Sequence, residues 1–448
     1  MTTLSQREWW RRRATLTSAP RRAEPVPADG VSAASAIPFR ALMTFTAILL
    51  LAPQNYVPIL ASFRIALVVA AVGIGTHVYD RFRHGQPLTI MTREIRLTGW
   101  LLGWTLVTLP FSSWPGGSLA MLLDLYLKAL AIFLLIANTV NSVTRLRLIA
   151  GGLTLMAVPI GLTGVENFLS GAYLWGGDSQ SASRILGYEA PLTQNPNDLA
   201  LILNLILPLT LALVFIARGA TIRAALLLAV GLEASAVIMT FSRAGFLSLA
   251  TIVGSYLWII RRRPERAWAY AGLLVAVLCL PLLPGKYFSR LATISDIEAD
   301  ATGSAQQRYQ QQVMSVRYVL AHPIVGAGVG MDALAMNQTF GSWQNIHNVY
   351  LQYATDLGLP GLLLFLLLLR ESIRSARSVQ RRSAKIPESR DLFHLATGIQ
   401  TSLLAFAVSA FFSPVAYHFH FYYFAGLAVA VKAVDAAAAR APRPAEAR

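Results

Sequence analysis

The chain has 448 residues, 55% of them hydrophobic and 13% charged, about half the charged content of an average soluble protein. That balance excludes an ordinary water-soluble globular domain and makes lipid the solvent. A formal charge of +16 would suit nucleic acid only if the basic residues clustered on one soluble face. They lie instead in short segments between apolar runs, which excludes a nucleic-acid partner and suits a lipid bilayer with anionic headgroups.

Residues 1–37 are rich in Arg, Ala and Pro and lack the apolar core of a signal peptide, so they read as a disordered cytoplasmic arm. A hydrocarbon core about 30 Å thick needs roughly 20 apolar residues per helix. Runs of this kind predict an all-α, polytopic integral membrane protein with about twelve transmembrane helices. The first six lie near 39–51, 59–79, 97–110, 119–137, 148–168 and 198–217, and the others near 222–240, 244–260, 268–283, 349–369, 392–412 and 415–434. The membrane domain covers 38–435, and 436–448 reads as a disordered cytoplasmic tail. The one cysteine, Cys279, lies in an apolar run and excludes an intrachain disulfide.

Thirty of the 38 lysines and arginines fall on one side of this topology. The positive-inside rule therefore places that side, with both termini, in the cytoplasm. The external side carries Arg184, Arg243, Lys286, Arg290, Arg308 and Arg317, while Arg64 and Lys128 fall within spans. Two external segments are long: 169–197, and the 65 residues of 284–348 between the ninth and tenth helices. The second predicts a structured loop, with a helix over 305–320 and a Pro- and Gly-punctuated turn over 322–331. Function is expected on these loops.

Thr240-Phe241-Ser242-Arg243-Ala244-Gly245 puts a guanidinium where a tight turn meets the membrane, free to fork onto phosphate oxygens. The structural alternative is an arginine snorkelling to headgroups. The glycines of His322-Pro323-Ile324-Val325-Gly326-Ala327-Gly328-Val329-Gly330 lack the strand and helix of a nucleotide site and permit a tight turn against a headgroup or the next helix. In Ile346-His347-Asn348-Val349-Tyr350-Leu351-Gln352-Tyr353, His347 opens a span from outside, where it is either a proton acceptor or a structural interfacial residue. Arg184 precedes a second helix start, Gln194-Asn195-Pro196-Asn197-Asp198, in which Asn197 reads as the cap. Arg308 and Arg317 are nine residues apart on the expected cap helix. They point to opposite sides, and Arg308 is the preferred contributor. Asp296, Glu298 and Asp300 have the spacing of a calcium loop, but Ala301 and Gln307 replace its Gly and bidentate Glu, so no metal is expected.

Together, the Ser-Arg-Ala-Gly turn, the His-Pro-x-x-Gly-x-Gly-x-Gly stretch and the His-Asn-x-Tyr-Leu-Gln helix start resemble the O-antigen ligase and O-antigen polymerase superfamily of bacterial envelopes. The resemblance implies a metal-independent, cofactor-free membrane glycosyltransferase. Its donor is a glycan on undecaprenyl diphosphate, and its acceptor a hydroxyl of lipid A core glycan, growing polysaccharide or glycoprotein. It places the protein in the bacterial inner membrane with a periplasmic active site. On this reading Arg184, Arg243 and Arg308 hold the donor diphosphate, Arg243 stabilises its developing charge, and His347 accepts or orients the acceptor proton. One departure is Asp356, where related sequences often carry Glu. The competing class is a lipid-linked oligosaccharide flippase or other transporter. Such a protein should carry its charge inward, and Arg64, Lys128, Asp124 and Glu233 are the mid-span candidates.

Overall fold

The computed structural model describes residues 36–174, 184–190, 192–279 and 304–440. Its helices begin with α1 (Ala36–Leu51), α2 (Ile65–Arg83), α3 (Arg93–Thr108), α4 (Pro115–Thr139, with a π-helical turn at Leu122–Tyr126) and α5 (Val143–Ser170). A two-residue hairpin of β1 (Tyr173–Leu174) and β2 (Arg184–Ile185) follows. Then come α6 (Pro196–Ile216), α7 (Ala220–Met239), α8 (Arg243–Ile260) and α9 (Arg266–Cys279). Two shorter-loop helices, α10 (Ser304–Ala321) and α11 (Asp332–Phe340), precede α12 (Val349–Ser383), α13 (Arg390–Ser409) and α14 (Phe419–Arg440).

Nine of these helices among the described residues are long and apolar enough to cross a membrane: α2, α4 to α8, and α12 to α14. The three other expected spans correspond to the shorter α1, α3 and α9. Polar caps mark several starts, as sequence chemistry requires: Thr92 accepts from the Ile95 N–H, Ser142 from Arg145 and Ser242 from Gly245.

The buried centre is α6, which packs against α13, α7, α5 and α8, while α14 packs on α4 and α12. Lipid removes the hydrophobic drive between helices, so small side chains and hydrogen bonds hold them. The Ser402 hydroxyl donates to the Leu205 carbonyl (2.7 Å), Ser248 meets Ser409 (2.6 Å), and Thr154 meets Thr210 (2.9 Å). By contrast α2 buries only Gly73 and lies at the periphery.

The helix α12 is broken. Gly358 has φ 68°, a left-handed conformation inside an otherwise α-helical run. The break frees backbone groups, and a distant loop takes them up: the carbonyls of Thr355 and Asp356 accept from the N–H groups of Ala327 and Gly328, both at 2.8 Å. Trp104 of α3 donates its Nε1–H to the Leu357 carbonyl (2.8 Å), and the Leu359 N–H reaches the Pro323 carbonyl (2.8 Å). The glycine-rich stretch is therefore a backbone clamp on the next helix, one of the two structural uses its sequence allows.

Four boundaries differ from the sequence expectation. Arg64 is not within a span: it precedes α2 with φ 45°, between short helical turns and the first residue of α2. The tenth helix continues past residue 369 to Ser383, because its end is polar but still helical, and α14 continues past 435 to Arg440. Helix α1 likewise starts at Ala36, inside the expected arm.

A pair of glycine substitutions tests the clamp. Gly341 also has a left-handed φ, of 69°, but open space around it, whereas a Cβ on Gly358 would run into the Ile324 carbonyl oxygen. Gly341→Ala should cost only the backbone preference, about 1–2 kcal/mol. Gly358→Ala should lower the unfolding midpoint in detergent clearly further, and equal midpoints would show the clamp to be dispensable.

Candidate functional site

Arg243 is the first residue of α8. The turn before it holds Phe241 at φ 51°, a conformation that costs a non-glycine residue about 1–3 kcal/mol and persists only when its surroundings enforce it. Two neighbours do so. The Phe241 ring packs on Phe168 with centroids 6.0 Å apart, and the Ser242 hydroxyl accepts from the Gly245 N–H (3.2 Å) while donating to Asn197 Oδ1 (2.9 Å). Asn204 donates to the Gly245 carbonyl (3.0 Å), and a Cβ on Gly245 would come within 2.8 Å of Ala200 Cβ. The starts of α6 and α8 thus run in close approach. Asn197 links them rather than capping α6. The cap is Asn195, whose Oδ1 accepts from the Asn197 N–H (2.8 Å) ahead of Pro196 at the first helical position.

His347 lies two residues before α12. Its Nδ1 sits 2.9 Å from the Asn345 carbonyl oxygen, which can only accept, so Nδ1 carries the proton and Nε2 keeps its lone pair. Burial lowers the imidazole pKa below its ordinary value, and the positive charge of Arg308 on α10 lowers it further. The neutral, basic form therefore prevails at neutral pH. The next residue, Asn348, caps α12 by accepting from the Tyr350 and Leu351 N–H groups at 3.0 and 3.1 Å.

The rest of that motif is structural. Tyr350 donates to the Ala407 carbonyl (2.7 Å), Tyr353 to Ala416 (2.7 Å), and Gln352 joins the Ala416 N–H (3.2 Å) to the Asp332 carboxylate (3.3 Å). Asp332 and Asp356 are the residues whose purpose the sequence did not disclose. Asp332 Oδ2 accepts from the Ile346 N–H at 2.8 Å, fixing the backbone beside His347. Burial raises its pKa, against which these hydrogen bonds work. Asp356, wholly buried, accepts from the Gly330 N–H at 2.9 Å and so joins the clamp. An acid in a first helical turn, as Asp332 is, was the one available signal.

Arg243 and His347 stand at the same end of the bundle. The Val349 N–H donates to the Ala410 carbonyl (2.8 Å), and Ser409 beside it meets Ser248 of α8 one turn and a half beyond Arg243 (2.6 Å). Arg308 joins His347 electrostatically, and Arg317 is exposed on the other side of α10. Arg184 pairs in β2 opposite Leu174; its side chain, with Lys286, Arg290, Asp296, Glu298 and Asp300, lies outside the described residues. The segment after Arg184 is fastened to the end of α1, where the Tyr188 hydroxyl donates to the Leu51 carbonyl (2.9 Å) and Asn55 to the Glu189 carbonyl (2.7 Å). Below it, α1, α2 and α4 enclose a groove of about 860 Å³, mostly apolar, which also carries Arg64, Asp124 and Lys128.

Removing the Asp332 carboxylate leaves the Ile346 N–H buried without an acceptor, at about 1–3 kcal/mol. In Asp332→Ala the Ile346 amide should exchange with solvent on the order of ten- to a hundredfold faster, since 1.4 kcal/mol is about tenfold, while Asp332→Asn keeps most of the protection. Unchanged exchange in the alanine variant would remove Asp332 from the support of His347.

The family model described as O-antigen ligase matches residues 205–366, from within α6 to within α12. The matched segment contains Arg243, Arg308 and His347 and stops short of Arg184. No curated protein matches the chain. The turn at Arg243, the clamped break of α12 and the His347 loop all fall inside this segment, which is similar to the O-antigen ligase family.

Proposed function

We propose that this protein transfers a glycan from an undecaprenyl-diphosphate-linked donor to a hydroxyl acceptor at the periplasmic face of the bacterial inner membrane. It acts as an O-antigen ligase or as a polymerase of O-antigen or exopolysaccharide. The observation that carries the reading is the imidazole of His347, whose Nδ1–H is bound to a carbonyl and whose Nε2 is left basic beside the cation of Arg308. In this proposal α1, α3 and α9 also cross, giving twelve spans over 38–435 with cytoplasmic termini and external loops at 169–197 and 284–348.

The chemistry runs as a displacement at the anomeric carbon. The acceptor oxygen forms the new glycosidic bond, its proton passes to His347 Nε2, and the anomeric carbon's bond to phosphate oxygen breaks with its electron pair leaving on the diphosphate. That leaving group gains a negative charge, which Arg243 and Arg184 stabilise where the charge develops. Arg308 binds the same diphosphate and keeps His347 neutral. The groove between α1, α2 and α4 offers apolar walls for the polyprenyl tail. No metal or cofactor enters these steps. The transporter alternative would need an inward polar route. Glu233 is buried and accepts from Thr210 (2.9 Å), and Asp124 pairs with Lys128 at 3.5 Å, so three of its four candidates already have local partners.

Arg243→Ala and His347→Ala should abolish surface glycan, by at least about a hundredfold for loss of a general base, while the protein remains inserted and abundant. Normal glycan in both would remove the site. In a deletion strain, accumulated donor without attachment would mark a ligase, and single-repeat products a polymerase. The pH dependence has a defined sign. Activity requires neutral His347 and falls as pH drops through its pKa; Arg308→Gln removes a repelling cation, raises that pKa, and should move the acid limb of residual activity to higher pH. A limb that stays or moves to lower pH would separate Arg308 from His347.

A further inference from the structure

We propose that a cleft between α3 and α12, at the end of the bundle opposite His347, binds the phosphate headgroup of an anionic membrane phospholipid. This inference rests on the topology proposed above but not on the glycan-transfer chemistry. Two adjoining cavities of about 580 and 340 Å³ open there, and both are lined by Arg93, Arg96, Glu371 and Arg374. They lie roughly 25 residues along α12 from the His347 end, some 35–40 Å at 1.5 Å per residue. That places them in the cytoplasmic leaflet of the topology proposed above.

The helical spacing explains the cleft. Arg93, Arg96, Leu97 and Trp100 fall at i, i+3, i+4 and i+7 on one face of α3, and Leu367, Arg370, Glu371 and Arg374 repeat the same spacing on α12. The two helices pack against each other and run antiparallel, so both faces place their arginines at the outer rim and their apolar residues deeper. Trp100 is 70% exposed, at the depth where an interfacial Trp stands between headgroup and chain.

The charges do not cancel within the protein. Buried Glu94 is answered by Lys432 (3.6 Å) and by the Ser375 hydroxyl, and Glu371 reaches Arg374 at 4.0 Å. No ion pair engages Arg93, Arg96 or Arg370 among the described residues. At the same end of the bundle Arg147, Arg263, Arg382 and Arg390 each meet a carboxylate. Guanidinium groups gathered in one cleft repel one another unless an anion joins them, and their planar forks match phosphate oxygens. An inorganic phosphate would answer the cations but leave Leu97, Trp100 and Leu367 unused. A phospholipid answers both, with its phosphate at the rim and an acyl chain along the apolar wall.

The test uses the full-length protein, purified in detergent and offered phosphatidylglycerol, phosphatidylcholine or millimolar inorganic phosphate, with bound lipid read by native mass spectrometry. The wild type should retain phosphatidylglycerol over phosphatidylcholine, and phosphate should not displace it. Replacing Arg93, Arg96 and Arg374 with Gln should cut that preference at least tenfold, and replacing them with Lys should preserve part of it. Removing the same charge from exposed Arg218, Arg262 and Arg381 should leave the preference intact. Single Arg93→Gln, the mildest change to an exposed position, should weaken retention several-fold if the triple variant is poorly folded. Equal losses in the cleft and control variants would overturn the proposal, as would displacement of the lipid by phosphate alone.

Discussion

A membrane helix can be interrupted only where other groups satisfy the backbone it exposes, because hydrocarbon offers no hydrogen-bond partners. The interruption of α12 at Gly358 meets that condition through the loop at 323–330 and Trp104. The positions of the neighbouring segments follow from it. The Leu359 N–H closes on Pro323, and Gly330 is held by Asp356. Asp332 comes two residues later, opens α11, and holds Ile346 beside His347. The chain from 323 to 359 therefore braces itself as a ring, and the imidazole is carried by that ring rather than by a free loop.

Beneath the ring lies a buried set of phenols. Tyr353 and Tyr422 hydroxyls meet at 2.9 Å, and Tyr422 donates to Tyr126 at 3.2 Å, which ties α12, α14 and α4 together. With Tyr417 against Tyr126 and Tyr353, the rings also supply edge contacts at centroid distances of 5.2 and 5.0 Å. Such a network fixes the relative rotation of three helices, which uniform apolar surfaces in lipid would leave open. The site above it inherits that rigidity, and positional precision is what a general base requires.

The sequence disclosed most of this architecture because hydropathy and loop charge are long-range, averaged signals. Within the described residues each of the twelve apolar runs contains a helix, and the cap helix expected over 305–320 forms as α10. Single-residue features were less legible for the same reason. Averaging over residues 59–79 hid the left-handed Arg64, and an apolar Gly358-Leu359-Pro360-Gly361 reads as continuous span although its turn residues mark the break. The cap of α6 is Asn195 rather than the expected Asn197, because Pro196 takes the first helical position. For the site, the helix-start motif yielded His347 and the expected cap helix yielded Arg308, and the structure supplied their electrostatic coupling. Asp332 escaped because its partners, Ile346 and Gln352, lie 14 and 20 residues away.

The helix α3 joins the two ends of this arrangement. It is short and only weakly amphipathic, and its mid-section bears Gly99 and Gly103, with nothing packed against either. It nevertheless packs against α12 and buries Thr98, Leu101 and Thr105, and two polar ties to α12 add to that packing: Trp104 on the Leu357 carbonyl, and Glu94 on the Ser375 hydroxyl, with Lys432 of α14 beside it. The arginines of the proposed lipid cleft extend from the second of these anchors. A phosphate bridging Arg93 or Arg96 to Arg370 or Arg374 would add a third tie between the same two helices. Such a tie acts on the half of α12 beyond Gly358. The first half, with His347, is positioned by the ring of hydrogen bonds instead, so the break separates what anchors the helix from what carries the chemistry.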